Sequence, residues 1–123
     1  MHKTLKMNSS SPKSPSNPRE LLYVSDLDGT LLDGDGQLPE DSVQRINRLI
    51  DNGLNFSIAT ARNYDSAYPL LKGLNLKHPV ILSNGVYLTE LHTGENLFFS
   101  GFISLDVINK MISIAETHNI EPF

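Results

Sequence analysis

The sequence of 123 residues predicts an α/β fold in which helices cover a parallel β-sheet. Short, mainly apolar segments of strand length alternate with segments whose apolar residues recur at helical spacing, in the order strand, helix, strand, helix, strand. This alternation is typical of parallel sheets, because parallel neighbours need a long crossover between them. Two further strand-like segments around a glycine turn, followed by one more helical segment, predict an antiparallel hairpin and a helix.

The first strand and the first helix follow from local patterns. The apolar run Leu21–Val24 ends abruptly in polar residues and predicts a buried strand. Asp33–Gly36 has strong turn chemistry, Pro39 suits the beginning of a helix, and Gly53 suits its left-handed end. The apolar residues that recur at helical spacing in between are Val43, Ile46, Leu49 and Ile50.

The second helix lies between two more predicted strands. Leu54–Ala59 predicts the second strand, and Pro79–Leu82 the third, closed by the turn residues Ser83–Gly85. Asn63 is placed to cap the helix, and Pro69 inside it predicts a kink or a delayed start. The apolar residues of this helix are Ala67, Leu70, Leu71 and Leu74.

The pattern of predicted elements changes after the third strand. Val86–Leu88 and Leu97–Phe99 flank a turn that contains Gly94, which predicts the hairpin. Ser104 is placed to cap the last helix, and Asn119 to end it. The apolar residues of that helix are Val107, Ile108, Met111, Ile112 and Ala115.

Composition excludes several classes of protein. The chain has no cysteine, which excludes disulfides and thiolate metal sites and is compatible with a cytoplasmic location. No apolar run is long enough to span a bilayer, so we expect no membrane partner. The net charge of −4 argues against sequence-independent binding to nucleic acid. Residues 1–19 are basic and rich in serine and proline, which predicts a flexible tail and, less strongly, an organelle-targeting segment.

Two aspartates directly follow the first predicted strand. Asp26 and Asp28 are two positions apart on an extended segment, so their side chains should point to the same side. Two close carboxylates repel each other. Binding of a divalent cation would offset this repulsion, and a division of roles between a nucleophile and a proton shuttle would give the pair a function. The alternative is a surface turn. A calcium-binding EF-hand loop is excluded, because Leu31 or Leu38 stands where that loop needs glycine.

Three further candidate positions follow the other strands. Thr60 ends the second strand, and its hydroxyl, the backbone N–H of Ala61 and the guanidinium of Arg62 could bind phosphate oxygens. Asn84 ends the third strand, either as a turn residue or as a ligand-facing amide. Because the carboxyl ends of parallel strands share one edge of a sheet, we expect these residues to lie near the two aspartates.

These segments together resemble a known family. LLYVSDLDGTLL (Leu21–Leu32) looks like the first motif of the haloacid dehalogenase (HAD) superfamily, and FSIATAR (Phe56–Arg62) like its second. ILSNGV (Ile81–Val86) resembles the third-strand segment of the Cof-type sugar-phosphatase branch. The resemblance implies the first half of a Rossmann-like core over residues 20–85 and the start of an α+β cap over residues 86–123.

The resemblance also implies a Mg²⁺-dependent phosphatase of small phosphorylated metabolites, such as sugar or nucleotide phosphates. Asp26 would be the nucleophile that forms an aspartyl-phosphate, and Asp28 the proton donor and acceptor. Thr60 would bind the transferred phosphoryl group. The Asp26 carboxylate and the Asp28 backbone carbonyl would be the protein ligands of Mg²⁺.

The chain departs from the family at two points. Ala61 stands where the branch usually has glycine, and the later lysine and acidic motifs of the family are absent. We therefore expect a truncated chain with little activity alone, because each lost electrostatic group typically lowers the rate by about 10²–10³-fold. The alternatives are an inactive remnant that binds anions, metals or another chain, a phosphomutase, and an unstable fragment. The sequence does not indicate an oligomeric state.

Overall fold

The computed structural model describes residues 21–120, so the predicted tail over residues 1–19 lies outside the described part. Five strands and three α-helices follow one another in the predicted order. Their bounds are β1 Leu22–Ser25, α1 Glu40–Asp51, β2 Asn55–Ile58, α2 Tyr64–Leu71, β3 Val80–Leu82, β4 Tyr87–Thr89, β5 Asn96–Phe99 and α3 Leu105–Thr117.

The parallel part of the sheet brings the first three strands together. β1 and β2 pair in parallel, with a register that runs from Leu22 opposite Asn55 to Ser25 opposite Ile58. β3 joins β2 through a parallel bridge between Ala59 and Ile81. This arrangement confirms the predicted α/β fold class, and it brings the carboxyl ends of the three strands to one edge.

β3 was expected to pair in parallel with β2, but most of its pairing is antiparallel with β4. β3 has one bridge to β2, whereas it pairs over its whole length with β4, antiparallel, and β4 pairs in the same way with β5. The reason lies in the Ser83–Gly85 turn, whose residues all have positive φ and reverse the chain directly onto β3. The predicted hairpin is present and continues the sheet. The boundary between a core over residues 20–85 and a cap over residues 86–123 stays a prediction.

The first two helices begin and end largely as their local signals indicate. α1 begins directly after Pro39, and Gly53 follows its end with a φ of 99°. The Asn63 side chain caps α2 by accepting the N–H of Ser66 at 3.0 Å. Pro69 lies inside α2 and does not delay its start, because the helix already begins at Tyr64.

The hydrophobic core is formed by buried side chains of the strands, of α1 and α2, and of the loops between them. Its fully buried side chains come from both helices, from the strands and from the loops after β1 and α2, and they include Leu27, Ile50, Ile58, Leu71, Leu74 and Leu82. The Asn47 side chain on α1 donates to the Gly73 carbonyl at 2.9 Å and accepts the Asn75 N–H at 2.7 Å. These bonds join α1 to the loop after α2.

The prediction that β1 is buried is wrong for the described chain. Leu22, Tyr23 and Val24 are 52%, 46% and 46% exposed. Within residues 21–120, β1 has β2 as its neighbour on one side and no strand on the other. An apolar run predicts a buried strand, but it is equally compatible with an edge strand that has a neighbour on only one side within residues 21–120.

α3 has the predicted cap, because the Ser104 hydroxyl accepts the Val107 N–H at 3.4 Å, and Asn119 follows its end with a φ of 52°. Its apolar side chains remain accessible, and none of its residues is buried. None of the helices within residues 21–120 combines the length and apolar composition that crossing a membrane requires.

Candidate functional site

The loop after β1 presents two aspartates on either side of a buried leucine. Leu27 is fully buried, and its carbonyl accepts the N–H groups of Thr30, Leu31 and Leu32 at 3.3, 3.0 and 3.1 Å. The Asp26 carboxylate accepts the Leu27 N–H through Oδ1 at 2.7 Å. The buried side chain therefore anchors the loop, while Asp26 and Asp28 remain exposed.

The loop after β2 is held by bonds on both of its sides. Thr60 is 5% exposed, and its N–H donates to the Ile81 carbonyl at 2.9 Å. Its Oγ1 accepts the Arg62 N–H at 3.2 Å, and its carbonyl accepts the Asn84 N–H at 3.2 Å. This bond uses a lone pair of the Thr60 hydroxyl and not its proton, so the hydroxyl can still donate a hydrogen bond to a ligand.

The turn after β3 is held in an unusual backbone conformation. Ser83, Asn84 and Gly85 have φ values of 50°, 55° and 91°, a region that the side chain of Ser83 disfavours and that asparagine and glycine adopt more readily. The Ser83 N–H donates to the Arg62 carbonyl at 2.9 Å, which ties the turn to the preceding loop. The strained turn thus places Asn84 at the same edge of the sheet as Thr60.

These three loops border one open cavity of about 390 Å³. Four of the six predicted site residues line it, namely Asp26, Thr60, Ala61 and Asn84. The other lining residues are Ala59, Ile81 and Gly85. The structure therefore brings one carboxylate, one hydroxyl and one amide side chain to a shared space at the carboxyl edge of the parallel strands.

The other two predicted residues pair with each other beside the cavity. Arg62 donates from Nε to Asp28 Oδ2 at 2.8 Å and from Nη2 to Asp28 Oδ1 at 2.7 Å. The two side chains are 32% and 53% exposed. Sequence reasoning assigned a phosphate to Arg62 and a divalent cation or a proton-shuttle role to Asp28, and it did not find this bidentate ion pair.

Sequence reasoning missed two parts of the site, and only one of them had a signal that could have revealed it. Continuing the β1–β2 register beyond Ser25 and Ile58 brings Asp28 beside Ala61 and Arg62, so the ion pair was accessible once the register was known. Ala59 and Ile81 line the cavity because they form the bridge between β2 and β3. Apolar strand residues of this kind carry no chemical signal that a sequence would reveal.

The ion pair changes the acidity of Asp28. Side-chain hydrogen bonds from Arg62 hold the pKa of the Asp28 carboxyl below its ordinary value, and the Arg62 charge acts in the same direction. Because the pKa is lower in the folded than in the unfolded chain, the ionised carboxylate stabilises the fold above its ordinary pKa. That contribution is lost as the pH falls through the lowered folded value.

We predict that Arg62→Gln raises the pKa of Asp28 towards the ordinary carboxyl value. The measurement is a ¹³C NMR titration of the Asp28 carboxyl carbon in the wild type and the variant. Arg45→Gln is the matched control, because Arg45 pairs with Asp41 at 3.6 Å on the surface of α1. An Asp28 titration that is the same in wild type and Arg62→Gln would contradict the prediction.

The donor atoms at the cavity fit a hard cation with few protein ligands. Within residues 21–120, no three His, Cys, Asp or Glu side chains form a cluster that could hold a metal ion. Mg²⁺ usually binds through one or two carboxylates and completes its shell with water and substrate phosphate, so such a cluster is not required. The Asp26 carboxylate on the cavity is a suitable ligand, whereas the Asp28 carboxylate is engaged by Arg62.

Fold and site together define a class of protein: an α/β protein with an Asp-x-Asp loop at a cavity on the carboxyl edge of its parallel strands. The chain belongs to the haloacid dehalogenase-like hydrolase family, whose sequence profile matches residues 23–123. The Cof-type resemblance is confirmed as well, because a HAD/COF-like hydrolase from Plasmodium vivax is 28% identical with a TM-score of 0.60, over 80% of this chain and 36% of that one.

Named relatives in the family are phosphatases. The chain is 30% identical, over 80% of its length, to a 5-amino-6-(5-phospho-D-ribitylamino)uracil phosphatase of Bacillus subtilis. It is 36% identical, over 58% of its length, to a pyridoxal phosphate phosphatase of Escherichia coli. A HAD phosphatase from Bacteroides thetaiotaomicron shares the fold with a TM-score of 0.67 at 23% identity, covering 89% of this chain and 40% of that one. The chain spans 37% and 26% of the lengths of the two curated relatives.

Proposed function

We propose that the protein containing this chain is a Mg²⁺-dependent phosphatase that works through an aspartyl-phosphate on Asp26. The observation that carries the proposal is the shared cavity of Asp26 and Thr60, which are far apart in sequence and come from adjacent parallel strands. A nucleophilic carboxylate and a hydroxyl that can hold a phosphoryl oxygen are the two parts that phosphoryl transfer to a side chain needs.

In the first step, an Asp26 carboxylate oxygen attacks phosphorus, and the bond from phosphorus to the leaving-group oxygen breaks. The Leu27 N–H already bonds to Oδ1 at 2.7 Å, which orients the carboxylate and leaves Oδ2 for the attack. Asp28 gives a proton to the leaving oxygen, which requires that its carboxyl is protonated and no longer bonded to Arg62. In the second step, Asp28 takes a proton from water, the water oxygen attacks phosphorus, and the Asp26–phosphate bond breaks to release phosphate.

The phosphoryl oxygens are held by groups on the second and third loops. The Thr60 hydroxyl donates one hydrogen bond, and the backbone N–H of Ala61 and the side chain of Asn84 donate further ones. Ala61, which stands where glycine is usual in the branch, is one of the residues that line the cavity. Bound at Asp26 and the Asp28 backbone carbonyl, Mg²⁺ would supply positive charge that offsets the repulsion between carboxylate and phosphate.

Small phosphorylated metabolites are the proposed substrates. Both named relatives act on phosphate esters of small molecules, as their names state. A cavity of about 390 Å³ accepts a phosphoryl group with part of a small leaving group. We further propose that residues 86–123 begin a cap domain, and, because these 123 residues contain no cysteine, that the protein works in the cytoplasm.

The test is hydrolysis of p-nitrophenyl phosphate and of a panel of sugar and nucleotide phosphates by the protein expressed from its complete gene. We expect phosphate release that requires Mg²⁺ and stops with EDTA. The 123-residue chain, measured beside it, should be much slower. Absence of hydrolysis by the complete protein on every ester, with Mg²⁺ present, would show that the proposal is wrong.

A further inference from the structure

We propose that Arg62 is a positioning residue shared by two acceptors, the Asp28 carboxylate that it contacts in this structure and a phosphoryl group bound at Thr60. The guanidinium would leave Asp28 as the phosphoryl group binds, and return when phosphate departs. This inference rests on the proposed function, because it needs a phosphoryl group in the cavity. It would explain why Arg62, on the loop that we propose binds phosphate, is bonded to the Asp28 carboxylate in this structure.

The backbone of Arg62 is fixed at the rim of the cavity. Its N–H donates to Thr60 Oγ1 at 3.2 Å, and its carbonyl accepts the Ser83 N–H at 2.9 Å. The two preceding residues, Thr60 and Ala61, both line the cavity. The side chain is 32% exposed, so it can change partners without disturbing the buried core.

The chemistry of the two acceptors permits the exchange. The planar fork of a guanidinium binds a carboxylate and a phosphate in the same bidentate manner, and Arg62 already makes both bonds to Asp28. An ion pair between exposed side chains contributes little to stability, so it is easily replaced. A phosphate dianion carries more negative charge than a carboxylate and competes well for the same donor.

The exchange would also solve an electrostatic problem in the first loop. Asp26 and Asp28 are two positions apart, and both side chains are exposed. Pairing with Arg62 neutralises Asp28 while a phosphoryl anion approaches Asp26, which reduces repulsion. Transfer of Arg62 to the phosphoryl group then frees the Asp28 carboxylate from the ion pair.

The first measurement follows the arginine side chain directly. In the ¹⁵N-labelled protein expressed from its complete gene, the Arg62 Nε–H signal is assigned by its loss in Arg62→Lys, and inorganic phosphate is then titrated in the presence of Mg²⁺. We expect the Arg62 signal to shift with the same saturation curve as the Thr60 and Ala61 amides. The Arg45 signal should stay constant, because Arg45 pairs with Asp41 far from the phosphate-binding loop in sequence.

The second measurement is a double-mutant cycle on phosphate affinity. Asp28→Asn should tighten phosphate binding about fivefold or more, because Arg62 no longer has a competing acceptor. In the Arg62→Gln background, Asp28→Asn should give a much smaller gain. The matched control Asp41→Asn removes the same charge from the other exposed Arg–Asp pair and should leave phosphate affinity unchanged.

The outcomes separate the two proposals. If the Thr60 and Ala61 amides shift while the Arg62 signal stays constant, phosphate binds as proposed and the exchange is wrong. An Asp28→Asn gain of equal size in both backgrounds would likewise overturn the exchange, because it would be a general charge effect. If phosphate shifts none of these signals, the proposed function itself fails, and the exchange fails with it.

Discussion

Asp26→Asn is expected to reduce phosphate-ester hydrolysis by about 10³-fold or more, because an amide oxygen is a poor nucleophile and a weaker ligand for Mg²⁺. The structure places this carboxylate on the cavity with Oδ1 bonded to the Leu27 N–H. The asparagine side chain is nearly identical in shape and can accept the same bond, so the loop should keep its conformation. The measurement is the rate of p-nitrophenyl phosphate hydrolysis by the complete protein with saturating Mg²⁺.

Asp33→Asn is the matched control for this prediction. It removes one negative charge from the same loop region, but Asp33 does not line the cavity. Its Oδ1 accepts the N–H groups of Asp35 and Gln37 at 3.0 and 2.9 Å, and asparagine retains that acceptor. The control should keep nearly full activity. A fully active Asp26→Asn protein would show that Asp26 is not the nucleophile.

The second large effect is expected at Leu27, between the two aspartates. Leu27→Ala should lower the free energy of unfolding by about 2–5 kcal/mol, the usual cost of removing a fully buried leucine side chain. The buried side chain is also what anchors the loop that carries Asp26. The measurement is urea unfolding of the 123-residue chain, followed by circular dichroism.

Leu22→Ala provides the comparison within the same segment. Leu22 is 52% exposed on β1, so its truncation should change the unfolding free energy by no more than about 0.5 kcal/mol. A similar loss of stability in both variants would contradict the burial pattern described here. It would indicate that β1 is covered in solution by a surface that residues 21–120 do not provide.

Much of the fold was predictable because its signals are local. The Asn63 cap, the end of α1 near Gly53 and the turn at Gly94 each depend on a few neighbouring residues. The helical and strand spacings needed no more than a short window of sequence. The same holds for the grouping of Asp26 with Thr60, which follows from the rule that parallel strands end at one edge.

Burial and partner choice were less predictable. The apolar run of β1 indicated a strand correctly, but its exposure depends on which other strands are present beside it. The positive φ values at Ser83 and Asn84 were also not foreseen, since neither is a glycine. They depend on backbone hydrogen bonds from the turn to the carbonyls of Thr60 and Arg62, which lie on the loop after β2.

The amino-acid sequence by itself determined the order of elements, their caps and turns, and the family signature around Asp26 and Thr60. The tertiary structure alone decided that Arg62 binds Asp28, 34 positions away, and it decided between the two alternatives for Asn84, which lines the cavity with Asp26. The physical reason is the sequence separation over which the interactions act. Propensities, caps and turns arise from contacts within a few residues, whereas the partner of an exposed charge depends on strand register and on how three separate loops meet.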